Sequence, residues 1–155
     1  QTIYDATYND KSYIELFELT KKAAGFFEFD HPFNPENIIY CFIDPICKNC
    51  EETKKFFQER QELFIEHKAN IYWIPVSILS NNQAKSADML NKNITFEERI
   101  KLIDINTAIL LHYNIPPAVP YIVWDGSNGP GTLLGTPDDE SFAIALDDMT
   151  GGGNA

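Results

Sequence analysis

The sequence predicts an α/β fold in which short strand-forming runs alternate with helices. Three observations carry this. The run Ile38-Ile39-Tyr40-Cys41-Phe42-Ile43 is short, apolar and rich in β-branched and aromatic side chains, as a buried strand requires. A longer polar and apolar stretch over residues 51–67 follows it, with Phe56, Phe57, Leu63 and Phe64 at helical spacing. Late in the chain, Tyr121-Ile122-Val123-Trp124 is separated from residues 131–134 by Asp125-Gly126-Ser127-Asn128-Gly129, a turn signal that makes the two strands a hairpin.

The remaining elements fall between these landmarks. Residues 11–27 carry Ile14, Leu16, Phe17, Ala23 and Ala24 at mostly helical intervals and close on Gly25 and the Phe26-Phe27 pair, which predicts an N-terminal helix. Residues 30–36, with Pro32 and Pro35, connect it to the first strand at residues 38–43, and Asp44-Pro45 stops that strand. Residues 71–78 are rich in β-formers and read as the next strand, where Pro75 argues for an edge position or a bulge. Polar residues 80–85 lead into a short helix over residues 84–91. Thr95 followed by Glu98 is a capping box that opens a longer helix to Tyr113, with Phe96, Ile100, Ile103 and Leu110 as its buried stripe. The triplet Asn93-Ile94-Thr95 matches a glycosylation acceptor, but capping already accounts for Thr95. Ile115-Pro116-Pro117-Ala118-Val119-Pro120 is a rigid lead-in to the hairpin. Thr136 as N-cap and Pro137 at the first helical position begin a last helix, with Phe142, Ala145, Leu146 and Met149 on its apolar face.

A chain of 155 residues with 44% hydrophobic content is one domain's worth with enough apolar material for a core. Residues 1–36 read as an N-terminal helix and connector, residues 37–149 as the main folded domain, and residues 150–155 as a glycine-rich flexible tail. The 12 basic against 23 acidic residues give a net charge of −11, which works against binding a phosphate backbone, so no nucleic acid partner is expected. No apolar stretch approaches the ~20 residues that span a bilayer, and no charged segment followed by an apolar one opens the chain, so no membrane insertion is expected and Gln1 is compatible with a mature or trimmed terminus.

Three cysteines are an odd number and do not make a disulfide framework. Cys41 lies inside the first strand, where a lone cysteine behaves as a small hydrophobe. Cys47-Lys48-Asn49-Cys50 is different. It stands at the start of the helical stretch, which places Cys47 at the helix N-terminus and Cys50 about one turn inside. There the unpaired N–H groups and the macrodipole favour negative charge, so Cys47 is expected to ionise below the free-thiol value of about 8.5 and to act as nucleophile, with Cys50 as its resolving partner. Lys48 adds a nearby cation, while Glu51 and Glu52 oppose it.

The segment Tyr40-Cys41-Phe42-Ile43-Asp44-Pro45-Ile46-Cys47-Lys48-Asn49-Cys50 resembles the Phe-x-Asp-Pro-x-Cys-x-x-Cys stretch of the DsbC/DsbG thiol:disulfide interchange family. Ile74-Pro75-Val76, and Val119-Pro120-Tyr121-Ile122-Val123 before the Asp125-Gly126 turn, resemble later elements of the same family. The resemblance covers residues 20–149 and implies a thioredoxin-like fold: a central mixed sheet flanked by helices, with a mid-chain helical insertion. It implies that Pro120, which opens a β-rich run, is a cis-proline beside the cysteine pair, and that Val119, Pro120, Lys48 and Asn49 meet the substrate. It further implies protein thiol or disulfide substrates, a redox partner protein, no cofactor, and a periplasmic or otherwise exported bacterial setting. Two departures are visible. Val119 stands where the family usually has Thr and resembles the oxidase branch of the wider thioredoxin-like group, and Lys48-Asn49 replaces the common Pro-Tyr or Gly-Tyr pair. The direction of exchange, as reductase, isomerase or oxidase, therefore stays open. The family's N-terminal dimerisation domain has no counterpart in residues 1–36, so this 155-residue unit is expected to be a monomer, with a dimer expected if such a domain precedes it.

Two other readings compete with redox exchange. A Cys-x-x-Cys pair is half of a structural zinc site, but four ligands are needed and His31, His67 and His112 are scattered, so no metal is expected. A non-catalytic docking module of a secretion or transfer assembly shares the fold, and the intact cysteines argue against it.

Overall fold

The computed structural model describes residues 3–5, 11–79 and 83–150, so the tail at residues 151–155 and part of the polar lead at residues 80–85 lie outside the described residues. The described residues form a mixed α/β structure around an open sheet of six strands, β1 (Ile3–Asp5), β2 (Phe26–Phe27), β3 (Asn37–Ile43), β4 (Ala69–Pro75), β5 (Tyr121–Gly126) and β6 (Gly129–Leu134), in the order β1-β6-β5-β3-β4-β2. β3 (Asn37–Ile43) is central, parallel to β4 (Ala69–Pro75) and antiparallel to β5 (Tyr121–Gly126). β5 and β6 (Gly129–Leu134) make the hairpin read from the sequence.

Alternation along the strands builds two cores. On one face Ile39, Cys41 and Ile43 of β3 pack with Phe57 of α2 (Lys48–Gln58), Phe64 of α3 (Gln61–Glu66), and Phe142 and Leu146 of α6 (Asp139–Thr150). On the other, Tyr40 and Phe42 pack with Phe17 of α1 (Lys11–Lys21) and with Ile109, Leu110 and Tyr113 of α5 (Phe96–Tyr113). A strand covered on both sides has no polar face, which is why β3 reads as a continuous apolar run. Ala87 of the short α4 (Ala84–Ala87) and Leu90 just after it pack on Ile103 of α5.

Several elements differ from the sequence expectation. Phe26 and Phe27 do not end a helix: α1 stops at Lys21, and the pair forms β2, antiparallel to Trp73 and Tyr72 of β4. Gly25 permits this, because a Cβ there would run into the carbonyl oxygen of Trp73. Ile3–Asp5 forms β1 on the far edge, which hydrophobic patterning did not reveal. The helical stretch after the cysteines is two helices, broken where the Arg60 guanidinium takes the Phe56 carbonyl at 2.8 Å. β4 is neither an edge strand nor bulged at Pro75. That proline is the last residue of the strand, opposite Ile43, and β2 reaches only to Trp73, so its missing N–H costs no ladder bond on that side. Phe96 is 48% exposed, and the buried positions of α5 include Arg99 and Asn106 with Ile103 and Leu110. The last helix starts two residues after Pro137, because Asp138 rather than Thr136 caps it: Ser141 N–H donates to Asp138 Oδ1 at 2.8 Å, and Asp138 N–H donates to Ser141 Oγ at 3.0 Å.

Candidate active site

Both cysteines sit where β3 hands the chain to α2. Asp44-Pro45 ends the strand, and the turn closes when Cys47 N–H donates to the Asp44 carbonyl at 3.0 Å. Cys47 has an extended backbone, φ −85° and ψ 116°, and is the N-cap of α2. Its sulfur accepts the N–H of Cys50 at 3.1 Å, taking the place of the side-chain oxygen that usually satisfies a free N–H of the first turn. That bond strengthens as the sulfur gains negative charge.

The three thiols, all unbonded, differ in access. Cys47 is 6% exposed, Cys50 3% and Cys41 0%, and all three belong to the core between β3 and α2. Burial pushes the Cys50 thiol far up; its hydrogen bond to Cys47 adds to this, while the Asp44 backbone N–H pulls the other way. Burial also raises the Cys41 thiol well above its ordinary value, the charge of Cys47 adds to this, and the Lys54 ammonium opposes it.

The Val119–Pro120 bond is cis, as is Ile115–Pro116, which the sequence did not single out. The Val119 carbonyl lies 3.8 Å from Cys47 Sγ and accepts its S–H. Pro120 is buried behind it, and its own carbonyl is held by Gly135 N–H at 2.9 Å. Among the residues read from the sequence, the structure thus brings together Cys47, Cys50 and Val119, with Pro120 adjoining. Lys48 and Asn49 are exposed on the first turn of α2 between the cysteines.

Two supports escaped the sequence reading. The Asp44 carboxylate, 2% exposed, accepts three backbone N–H groups at 3.0 Å each, from Ile46 on one oxygen and from Ile78 and Leu79 on the other. It ties the cysteine turn to the segment after β4, a long-range role that Asp-Pro alone does not announce. Thr136, freed from capping, donates to the Asn49 carbonyl at 3.1 Å and accepts from Thr53 Oγ1 at 3.1 Å, which fastens the first turn of α2 to the loop before α6.

The histidines lie apart from the cysteines in other roles. His67 and His112 hold the carbonyls of Leu63 and Ala108 one turn back, and His31 is stacked between Phe29 and Phe33. Among the described residues no group of three or more His, Cys, Asp or Glu side chains converges as metal ligands. No model of a known protein family matches the chain, and no curated protein matches it.

Proposed function

We propose that the chain is a thiol:disulfide oxidoreductase of thioredoxin-like architecture that exchanges electrons between the Cys47/Cys50 pair and the disulfides of exported proteins. The observation that carries this reading is the placement of the Cys47 sulfur: it caps α2, accepts the Cys50 N–H at 3.1 Å and faces the Val119 carbonyl at 3.8 Å. A sulfur so placed has a donor for its charge and a neighbouring main chain beside which an extended peptide can lie. The order strand, redox helix, strand, helices, hairpin and helix supports the architecture.

In the reducing direction the Cys47 thiolate attacks one sulfur of a substrate disulfide. A mixed disulfide forms, and the other substrate sulfur leaves as a thiolate and takes a proton. Cys50 then loses its proton and attacks Cys47 Sγ, so the Cys47–Cys50 bond forms and the second substrate thiol is released. Two electrons have moved from the pair to the substrate, and a redox partner protein returns them. The reverse sequence oxidises a dithiol. The chemistry requires no group beyond the two sulfurs. No described helix is long and apolar enough to cross a membrane.

Insulin reduction by dithiothreitol tests the reading. The chain accelerates it, Cys47→Ser abolishes the acceleration, and Cys50→Ser accumulates a mixed disulfide at Cys47. Full acceleration by Cys47→Ser overturns the reading.

A further inference from the structure

The N–H that meets the Cys47 sulfur belongs to the peptide unit joining Asn49 to Cys50, and side chains hold the carbonyl at the other end of that unit. Cys50 N–H donates to Cys47 Sγ at 3.1 Å, while Thr136 Oγ1 donates to the Asn49 carbonyl at 3.1 Å and Thr53 Oγ1 reaches the same oxygen at 2.7 Å. We propose that Thr136 and Thr53 are positioning residues for the nucleophile: their hydroxyls act through the Asn49–Cys50 peptide, aiming and polarising the N–H that stabilises a Cys47 thiolate. This deepens the proposed redox function and rests on it.

A peptide group is planar and conjugated, so its carbonyl and its N–H are coupled. Fixing the oxygen fixes the direction of the N–H on the other side of the plane. A donor on the oxygen also draws electron density from the nitrogen, which makes the N–H a stronger donor; chains of hydrogen bonds strengthen one another in this way. Each hydroxyl has one proton to give. Thr136 gives its own to Asn49, and Thr53 gives its own either to Asn49 directly or to the Thr136 oxygen at 3.1 Å. Both arrangements load the same carbonyl.

The two threonines reach this oxygen from separate places. Thr53 follows Asn49 by four residues on α2 and is fully buried, so no water competes for its hydroxyl. A bond from a helical threonine to the carbonyl one turn back is ordinary. The second hydroxyl is not, because Thr136 comes from the loop between β6 and α6, 87 residues away in sequence, and the helix does not need it. The titratable groups around Cys47 are Cys41 of β3, Cys50, Lys48 and Glu51 of α2, and Asp44, whose carboxylate is committed to three backbone N–H groups. None of them bonds to either threonine, so changing a threonine leaves their charges in place.

The test is the rate of Cys47 alkylation by iodoacetamide against pH, read by peptide-resolved mass spectrometry in the Cys50→Ser background. That background keeps the backbone N–H of residue 50 and removes exchange within the pair. Thr136→Val and Thr53→Val are each expected to move the midpoint of the profile up by about half a pH unit, which is about a threefold loss of thiolate below the midpoint. The plateau at high pH is kept or slightly raised, because the thiolate of a weaker acid is the better nucleophile. Thr136→Ser restores the hydroxyl and is expected to stay within about 0.2 unit of the threonine protein. An unchanged midpoint in folded Thr136→Val overturns the proposal. So does an equal shift in Thr136→Ser, and so does slowing by one factor at every pH, which assigns the effect to access. Near-ultraviolet circular dichroism identifies a variant that fails to fold; if that is Thr136→Val, Thr53→Val decides by the same criteria. Failure of the redox reading itself shows separately, as insulin reduction surviving in Cys47→Ser.

Discussion

The amide of Cys50 donates to the sulfur of Cys47 over 3.1 Å, so the backbone of Cys50 offers a donor to charge on the Cys47 sulfur while its own thiol is buried at 3% exposure. The proposed exchange divides the pair accordingly: Cys47, whose sulfur accepts the Cys50 amide and lies 3.8 Å from the Val119 carbonyl, attacks first, and the more deeply buried Cys50 follows.

Alkylation should follow that division. With the native chain near neutral pH, Cys47 is expected to react more than about tenfold faster than Cys50 or Cys41, whose thiols burial holds above their ordinary range. Peptide-resolved labelling with iodoacetamide reads the order directly. Cys41 as the fastest thiol would contradict both the buried strand and the assigned nucleophile.

Asp44 should matter for stability as much as for the site. Asp44→Ala leaves the N–H groups of Ile46, Ile78 and Leu79 without their acceptor and is expected to cost about 3 kcal/mol. Asp44→Asn keeps one oxygen and should cost less. Urea titration measures both, and an unchanged midpoint for Asp44→Ala would show that this carboxylate does not hold the two segments together.

The cap of α6 carries a pH signature. Hydrogen bonds from Ser141, backbone first and hydroxyl second, hold the Asp138 carboxyl below its usual value. A depressed folded pKa gives stability that is full above the unfolded value of about 3.9 and fades as pH falls through the folded value. Asp138→Ala should therefore lower the melting temperature at neutral pH, with a difference that narrows below about pH 4. A difference that grows on acidification would contradict the cap.

How much of this was legible in the chain depends on whether the cause was local. Cys47 and Cys50, the Thr95 cap and the Asp125-Gly126 turn are written in contiguous residues, and each stands where its local chemistry puts it. The cis bond at Val119–Pro120 came from the resemblance, not from residue chemistry. What patterning missed depended on partners far away in sequence. Phe26-Phe27 becomes a strand only because β4 offers an edge and Gly25 allows the approach. Thr136 reads as a cap, yet Asp138 competes for that role with a better-matched Ser141, and Thr136 turns to Asn49 and Thr53 instead. Pro75 suggested an edge strand because the end of a ladder is invisible until the register is known.

The most direct test is equilibration of the chain in glutathione buffers of graded redox poise, followed by acid quenching, alkylation and intact and peptide mass analysis. The account predicts one two-electron transition in which Cys47 and Cys50 lose their free thiols together while Cys41 stays reduced throughout. A pair that remains fully dithiol in every buffer, or an oxidised form that links Cys41, would contradict it.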